Sequence, residues 1–313
     1  MDRELLMTEV REVLYRTGFY VSEKNWSRGL SFDLAARRDA ELLLTKVLLN
    51  VDALSEACAL ELRSIALSLS ASTLLVGVKS SAGRLEEGVV YSRFGIPIAS
   101  LETLKEYLEE GVPPFIFSAP GGLYVKLDTD LLRRAREVFG LSLGQLAEVA
   151  HVSRRTIQMY LKGMSATVEV ALRLEEFLRE PLVQPLDPFS SQRDYEMSRR
   201  GSPGLHGFKA QIMRLLRELG YEVFLTHKSP FDAITKDQEV LFLAGMGRSE
   251  KDLDRKAEVV FNLSKVVERD PVMFVEGRRV RNILSGIPII DSRELGKLQG
   301  REEMVELVEE RRE

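Results

Sequence analysis

Three side chains that can read the edges of DNA bases lie close together in the sequence: Arg154, Arg155 and Gln158. Arginine can pair two donors with guanine O6 and N7, and glutamine can pair with adenine N6 and N7. Each such pair discriminates against the wrong base by about 1–3 kcal/mol. In a helix spanning residues 153–162, these side chains occupy the outward N-terminal part, which is the part that enters a major groove. The spacing therefore predicts direct readout of double-stranded DNA.

Other polar residues of the same segment are better placed to contact the DNA backbone: Ser153, Thr156 and Lys162. Contacts to phosphates position a protein on DNA without reading its sequence. The segment from Ser153 to Gly163 holds three basic residues and no acidic residue. It therefore provides a local positive surface.

A second pattern of residues indicates phosphodiester chemistry. Asp33 and Lys46 are 13 residues apart on two predicted strands. This is the arrangement of restriction-endonuclease-like folds. There, an Asp and a second acid hold Mg²⁺ and a Lys orients the attacking water. The second acid belongs two residues before the Lys, where this chain has Leu44. Glu41 is three residues from Leu44 and so points to the opposite face of an extended strand.

A similar but weaker pattern occurs near the other end of the chain. Asp232 corresponds to Asp33, whereas Leu243 stands in the acid position and Gly245 in the lysine position. Because the second acid is missing twice, we expect a nuclease-like fold without catalytic activity. The alternative for both aspartates is a residue at a strand end or turn that makes local hydrogen bonds.

The remaining candidates for metal or cofactor binding are weak. The three histidines, His151, His206 and His227, have no metal-ligand spacing. The glycine pattern from Gly245 to Gly247 is too short to indicate phosphate binding. We expect neither a metal nor a cofactor, and the sequence names no effector ligand.

Composition and charge limit the class of protein. Of the 313 residues, 44% are hydrophobic and 29% are charged, as in ordinary globular domains. The formal net charge of −4 gives no overall attraction to nucleic acid, so a DNA-binding surface must be local. The single cysteine, Cys58, excludes an internal disulfide and fits a reducing cytoplasm as a buried thiol. No signal peptide or 18-residue apolar run is visible, and we expect a cytoplasmic protein without a membrane partner.

Hydrophobic periodicity predicts a mixed α/β fold, with two restriction-endonuclease-like α/β domains flanking a central all-α helix-turn-helix domain. The first flank is predicted as a helix at 2–17, strands at 19–21, 31–35 and 41–49, a helix at 52–69, a strand at 73–79 and a helix at 101–110. A hairpin at 115–127 precedes a wholly helical stretch at 129–180. The predicted domains are 1–112, 113–186 and 207–313, with a linker at 187–206.

The second flank has the same order of elements as the first. Asp33 and Asp232, and the strand segments 42–44 and 241–243, are each separated by 199 residues. The segment Gly95–Ile98 recurs as Gly286–Ile289. The agreement favours an internal duplication, and two unrelated α/β domains remain the alternative.

Residues 129–180 have the pattern of a helix-turn-helix. Ser142 and Ser153 are in position to cap two successive helices, and Ala147 is small enough for these helices to cross closely. His151 lies in the turn and is one of the side chains that tolerate a left-handed backbone. The residues predicted to form the core are Leu132, Ala135, Val138, Leu146, Ile157, Tyr160 and Leu161.

The segment Leu141–Gly163 resembles the helix-turn-helix of the Cro and lambda-repressor type. It differs from that pattern at His151, where Gly is usual, and at Leu143, where a phosphate-binding Gln is frequent. Nearly all of the chain, most strongly 114–188, is similar to an archaeal family of HTH-type transcriptional regulatory proteins. This resemblance implies a transcriptional regulator.

The sequence therefore predicts a sequence-specific DNA-binding regulator that is not an enzyme. Because one recognition helix reads only a half-site, we expect a homodimer on half-sites about 34 Å apart or multiples of that. The flanks, or an unpaired edge of the 115–127 hairpin, would supply the dimer contact. Two alternatives stay open: a nuclease or resolvase-like DNA-processing enzyme, and a chromatin-type protein that binds DNA without sequence preference.

Overall fold

The computed structural model describes residues 2–23, 29–189, 207–237, 240–248, 250–276 and 281–312. The predicted linker at 187–206 lies outside the described residues from 190 onward, as does His206. The chain forms two compact units. Unit 1 comprises residues 1–17, 47–54 and 74–191, and unit 2 comprises residues 18–46, 55–73 and 192–313. The units therefore divide the chain differently from the predicted domain boundaries, which follow chain order.

Helices and strands alternate through both flanks, as the periodicity predicts. The α-helices are α1 (Arg3–Arg16), α2 (Glu56–Leu69), α3 (Leu101–Glu109), α4 (Thr129–Val138), α5 (Leu143–Ala150), α6 (Arg154–Tyr160), α7 (Val168–Leu178), α8 (Phe208–Glu218), α9 (Glu250–Val267), α10 (Ser292–Leu295) and α11 (Arg301–Glu310). The strands before α4 are β1 (Tyr20–Val21), β2 (Leu34–Arg38), β3 (Glu41–Asn50), β4 (Ser72–Ser80), β5 (Gly83–Arg84), β6 (Val89–Arg93), β7 (Ile96–Ala99), β8 (Ile116–Ala119) and β9 (Gly122–Leu127). The later strands are β10 (Ala166–Thr167), β11 (Val183–Gln184), β12 (Glu222–Leu225), β13 (Ala233–Lys236), β14 (Leu241–Gly247), β15 (Asp270–Val275), β16 (Ile283–Leu284) and β17 (Ile287–Asp291).

In unit 1, the sheet continues into the helical region through the hairpin β8–β9. Strand order is β4-β7-β6-β8-β9-β10, and β11 also pairs with β9. The strand β8 pairs with β6 through Ile116 and Phe117, and β9 pairs with β10 on its other side and also with β11 through Lys126 and Leu127. The prediction that this hairpin offers an unpaired edge for a second copy is therefore wrong, because strands of the same chain cover both edges.

The helical region differs from its prediction in two details. Residues 129–180 are not wholly helical, because Ala166 and Thr167 form β10 opposite Val125 and Tyr124. Val138, predicted to be a core residue, is 81% exposed. The core is formed instead by apolar residues of α4–α7, β9 and β10, among them Leu127, Leu132, Ala135, Leu146, Ala147, Ile157, Tyr160, Ala166 and Leu174.

Unit 2 contains two sets of strands. The strands β1 and β3 flank β2 in antiparallel pairs, and a separate six-stranded sheet has the order β12-β13-β14-β15-β17-β16. In that sheet β12, β13 and β14 are antiparallel, whereas β14, β15 and β17 are parallel. The first flank has the same directions, since β1, β2 and β3 are antiparallel and β4 and β7 are parallel.

Hydrogen bonds join the segments of unit 2 that are distant in sequence. The Arg37 guanidinium donates from Nε to the carbonyl of Val266 at 2.8 Å and from Nη2 to that of Val267 at 2.9 Å, at the C-terminus of α9. The Ser31 hydroxyl donates to the Lys228 carbonyl at 2.8 Å. The two bonds from Arg37 satisfy carbonyl groups that the end of α9 leaves without an intrahelical partner.

Candidate DNA interface and nuclease-like centres

The helix α5 begins with a reciprocal capping arrangement. The Ser142 hydroxyl accepts a hydrogen bond from the backbone N–H of Gln145 at 3.2 Å, and the Gln145 side chain accepts one from the backbone N–H of Ser142 at 2.9 Å. Two donors that a helix N-terminus leaves without partners are thereby satisfied. The predicted capping role of Ser142 is confirmed.

The turn between α5 and α6 depends on a left-handed residue. His151 has φ 53° and ψ 43°, and its backbone N–H donates to the last turn of α5. The backbone N–H of Val152 donates to the Ala147 carbonyl at 3.0 Å. The prediction that His151 adopts the conformation usually taken by glycine is confirmed, and the chain can reverse within three residues.

The first turn of α6 is fixed by two hydroxyl groups. Ser153 accepts a hydrogen bond from the backbone N–H of Thr156 at 3.1 Å, and the two hydroxyl groups are 2.9 Å apart. The capping role of Ser153 is confirmed. Contact of either residue with DNA phosphate stays a prediction.

The helix α6 has one buried face and one exposed face. Ile157 and Tyr160 are 0% and 4% exposed, and burial raises the pKa of the Tyr160 hydroxyl. The base-reading candidates Arg154, Arg155 and Gln158 are all exposed, as is Lys162. Within the described ranges, the side chains of Arg155 and Gln158 make no hydrogen bond or ion pair. The arrangement can present them to a DNA groove without first breaking an internal contact.

One residue that holds α6 was not identified from the sequence. Arg133 of α4 donates from Nη2 to the Leu161 carbonyl at 3.1 Å, and its Nη1 is 2.8 Å from an Asp130 carboxylate oxygen. The three-residue spacing of Asp130 and Arg133 indicates the ion pair. The contact with Leu161, 28 residues away, has no signal in the local pattern.

The first nuclease-like centre brings Asp33 and Lys46 together, as predicted. The Lys46 Nζ is 3.2 Å from Asp33 Oδ1 and donates to the Leu30 carbonyl at 2.6 Å. The side chains of Asp33 and Lys46 are 0% and 6% exposed. Leu44, in the position of the second acid, is fully buried and lies opposite Ala35 in the β2–β3 ladder.

These residues do not fit a Mg²⁺ ion. Mg²⁺ requires a nearly octahedral shell of oxygen ligands, whereas Leu44 offers only methyl groups and an ammonium group already lies against Asp33. In the described part of the chain, no group of three or more His, Cys, Asp or Glu residues could hold a metal ion.

The second centre has lysines that the sequence interpretation missed. Asp232 Oδ1 is 2.6 Å from the Nζ of Lys209 on α8, and Oδ2 is 2.7 Å from the Nζ of Lys256 on α9. The Met246 backbone N–H also donates to Oδ2 at 2.7 Å. Burial alone would raise the pKa of Asp232, but the hydrogen bonds from the two lysines outweigh it and hold the pKa below its ordinary value. The lysines come from helices, so the strand pattern could not reveal them.

The loss of the lysine at position 245 has a steric explanation. A Cβ at Gly245 would lie 2.2 Å from the Sδ of Met273, which is fully buried on the neighbouring strand β15. Leu243, in the acid position, is also fully buried. Apolar groups therefore occupy the space that a lysine and a carboxylate would need.

Two other predictions concern single residues. Cys58 is 8% exposed, which confirms a buried thiol, and burial raises its pKa. The backbone N–H of His227 donates to a Glu61 carboxylate oxygen at 3.1 Å.

Across the described residues, no helix combines the length and apolar character needed to cross a bilayer.

Comparison with known protein families gives two matches. Residues 3–114 match the family model described as a PD-(D/E)XK superfamily domain, and residues 132–184 match the model described as a helix-turn-helix. The first match confirms the nuclease-like fold predicted for the N-terminal flank, and the second confirms the helix-turn-helix.

Curated relatives resemble the chain over almost its full length. A protein of Methanococcoides burtonii named "Putative HTH-type transcriptional regulatory protein" is 37% identical and covers 99% of this chain and 98% of its own. Proteins of the same type from Methanosarcina mazei and Thermoplasma acidophilum are 35% and 33% identical and cover 100% and 99% of this chain and 98% of their own. No solved structure matches.

Proposed function

This chain belongs to the archaeal family of HTH-type transcriptional regulatory proteins, and we propose that it regulates transcription by reading a specific DNA sequence with α6. The observation that carries the proposal is the division of α6 into two faces. Ile157 and Tyr160 fix the helix in the domain, while the guanidinium and amide groups of Arg155 and Gln158 face outward. A rigid support with exposed bidentate donors is what base readout in the major groove requires.

The surface around α6 supports binding to the DNA backbone as well. Lys162 is exposed beyond the C-terminal end of α6 and adds a positive charge. Because α6 carries no acidic residue, phosphates that approach it meet no like charge from this helix. Such contacts supply affinity that depends on salt, and the base contacts supply specificity.

We also propose that two copies bind one pseudo-palindromic operator. A single α6 spans only a half-site, and half-sites one helical turn apart need a second recognition helix. Since strands of the same chain cover the edges of the β8–β9 hairpin, the contact between copies uses another surface. Sedimentation of the protein, free and on operator DNA, tests this proposal, and a monomer in both states would contradict it.

The two nuclease-like centres support a role without catalysis. Each aspartate is neutralised by lysine ammonium groups, and a leucine stands in each position of the second acid. The shared element order and strand directions of the two flanks support a duplicated nuclease-like fold that serves as a scaffold. Incubation with supercoiled and branched DNA plus Mg²⁺ or Mn²⁺ tests this point. Cleavage that Asp33→Ala abolishes, in a variant that circular dichroism shows to be folded, would establish the alternative, a DNA-processing enzyme.

Selection of binding sites from a random-sequence duplex library tests the proposed function directly. The full-length protein should enrich one sequence, and Arg155→Ala should relax its preference at one base position by roughly 5- to 150-fold, which corresponds to about 1–3 kcal/mol. Arg214→Ala is a matched control, because it removes another exposed arginine from α8, outside the helix-turn-helix.

The possible results separate the candidate functions. If Arg155→Ala weakens binding to all sequences equally, the protein is of the chromatin type that binds without sequence preference. If the unaltered protein enriches no sequence, the regulator proposal fails.

A further inference from the structure

The helix α7 packs into the domain with one side and leaves a second row of side chains uncovered. Its buried residues are Val170, Ala171, Leu174 and Leu178. Its exposed residues are Glu169, Leu172, Arg173, Glu176 and Phe177. Steps of three and one residues keep the exposed set on one side of the helix. We call these five residues the outer face of α7.

Two large apolar side chains belong to this outer face. Leu172 is 58% exposed and Phe177 is 48% exposed, although both lie in a helix of a folded domain. At 3.6 residues per turn, their spacing separates them by about 140° around the helix axis. Leu172 and Phe177 therefore lie at the two borders of the outer face, and its charged residues lie between them.

The two central charges of the outer face form no ion pair within the described part of the chain. Arg173 donates from Nη1 to the Ala150 carbonyl at 3.4 Å, at the C-terminal end of α5. Glu176 makes no hydrogen bond to a described residue. Both residues, together with Phe177, border a surface hollow. The outer face therefore offers charges of both signs and room for side chains of another molecule.

The charge of α7 argues against DNA as that other molecule. The helix contains three glutamates and a single basic residue, Arg173. Phosphates that approached it would meet a net negative charge, whereas contact with the DNA backbone depends on lysine and arginine. The two signs side by side fit a surface that also carries both signs.

A second copy of α7 is such a surface. A contact between two copies across a twofold axis uses the same patch on both, so the patch must be complementary to itself. In an antiparallel pair of identical helices, residues equally far from one midpoint oppose each other. With the midpoint between Arg173 and Glu176, each arginine faces the glutamate of the other copy, which gives two ion pairs. A parallel pair would instead place like charges together, which is unfavourable.

The apolar residues fit the same antiparallel register. The midpoint between Arg173 and Glu176 is also the midpoint between Leu172 and Phe177, each one residue farther out. These side chains then flank the two ion pairs from both borders of the outer face. Apolar contacts around a polar centre exclude water from it and strengthen it. Charge and apolar area therefore select one arrangement of two copies.

We infer that two copies of this chain associate through the outer face of α7, antiparallel, with Arg173 of each copy against Glu176 of the other. The inference rests on the proposed function for the need of a second copy, and it names the surface that this copy uses. Five side chains a copy are few compared with the roughly 20–30 residues a side of a stable interface. We therefore expect a weak dimer in the free protein that DNA with two half-sites strengthens.

The first test reverses the two charges one at a time. Arg173→Glu and Glu176→Arg each convert both ion pairs into like-charge pairs. Each should raise the dissociation constant of the free dimer at least about 10-fold in sedimentation equilibrium. An equimolar mixture of the two variants has opposite charges at both contacts again, so it should associate about as tightly as the unaltered protein. Arg214→Glu, which reverses an exposed arginine of α8, is the control and should leave association unchanged.

A second variant tests the apolar border without changing charge. Leu172→Gln should also weaken association, because it removes apolar area from the contact. Its urea midpoint should change little, since the Leu172 side chain is more than half exposed in the single copy and glutamine is a good helix former.

Two results would overturn the inference. In the first, both charge reversals and Leu172→Gln associate like the unaltered protein, so something other than a second copy covers the outer face. In the second, the reversals weaken association but mixing does not restore it, although circular dichroism shows both variants to be folded. If association is unchanged while Arg173→Glu weakens and Glu176→Arg strengthens binding to a duplex with one half-site, the occupant is DNA.

Failure of the inference can be told apart from failure of the proposed function. None of these substitutions touches α6, so Arg173→Glu should keep the base preference of the unaltered protein on a duplex with one half-site. If the unaltered protein selects no sequence, the proposed function fails, while the mixing test still reports whether two copies meet at α7. If it selects a sequence and the reversals leave association unchanged, only the surface assigned to the second copy is wrong.

Discussion

Replacement of Lys46 by methionine should destabilise the protein through electrostatics rather than packing. The pair with Asp33 has an N···O distance of 3.2 Å and is almost completely shielded from solvent. Breaking such a buried pair costs about 3–5 kcal/mol, because the remaining charge loses its compensation. Methionine retains most of the apolar stem, and a swap of similar volume costs less than about 1.5 kcal/mol. The expected loss for Lys46→Met is therefore about 3–5 kcal/mol.

The measurement is urea unfolding of the full chain, combined with hydrogen exchange of peptides from β2 and β3. Exchange is needed because a chain of two units does not have to unfold in one transition. Glu41→Gln is the matched control, since it breaks the Arg38–Glu41 pair of the same hairpin at the same 3.2 Å. That pair is 38% and 34% exposed, and its loss should cost no more than about 1 kcal/mol.

A double variant isolates the electrostatic part of the effect. Asp33→Asn together with Lys46→Met removes both charges, so most of the stability lost in the single variant should return. Two results would show that the buried pair does not stabilise this centre. In the first, Lys46→Met loses no more stability than Glu41→Gln. In the second, the losses of Asp33→Asn and Lys46→Met, each measured alone, add up to the loss of the double variant.

Three further predictions concern other positions. The pKa of Asp232 is lowered, so its ionised form should stabilise the fold above about pH 4. This stabilisation should disappear as the pH falls through the lowered pKa. The urea midpoints of Asp232→Asn and of the unaltered protein should therefore differ near neutral pH and converge only in acid. Gly245→Ala should lower the free energy of unfolding by about 1–3 kcal/mol, since Met273 must move within a densely packed core. A thermal shift assay measures the loss, and an unchanged melting temperature would contradict the predicted steric conflict with Met273. Ala147→Leu, at a side chain that is 7% exposed between α5 and its neighbours, should separate the helices, and calorimetry should show a loss of about 1–3 kcal/mol.

The parts of the fold that were predictable have a strong local signal. Ser142, His151 and Ser153 cap or turn the chain within a few residues of their own position, so the helix-turn-helix could be placed to within one or two residues. The same holds for Asp33 and Lys46, because alternation along two adjacent strands brings them to one face. The predicted contacts of Arg155 and Gln158 with DNA stay predictions.

The features that were missed depend on partners far away in sequence. Lys209 and Lys256 reach Asp232 from helices 23 and 24 residues away, and no strand pattern contains them. Val138 fits the periodicity of α4 but is exposed at the last residue of that helix, and residues of β9 and β10 complete the core instead. The edges of the β8–β9 hairpin were predicted to be unpaired for the same reason. Their partner strands β6, β10 and β11 lie outside the sequence segment 115–127 from which the hairpin was predicted.

The contact of Arg37 with the end of α9 can form only after both segments have been synthesised. Its acceptors, Val266 and Val267, are synthesised 229 and 230 residues later, which at about 5–20 residues per second is a delay of roughly 10–45 s. Unit 1 ends at residue 191, so every segment of the DNA-binding half has left the ribosome while the strand β2 still waits for α9. The nascent protein therefore passes through a stage at which all of the helix-turn-helix has been synthesised while the α9 partner of β2 in unit 2 has not.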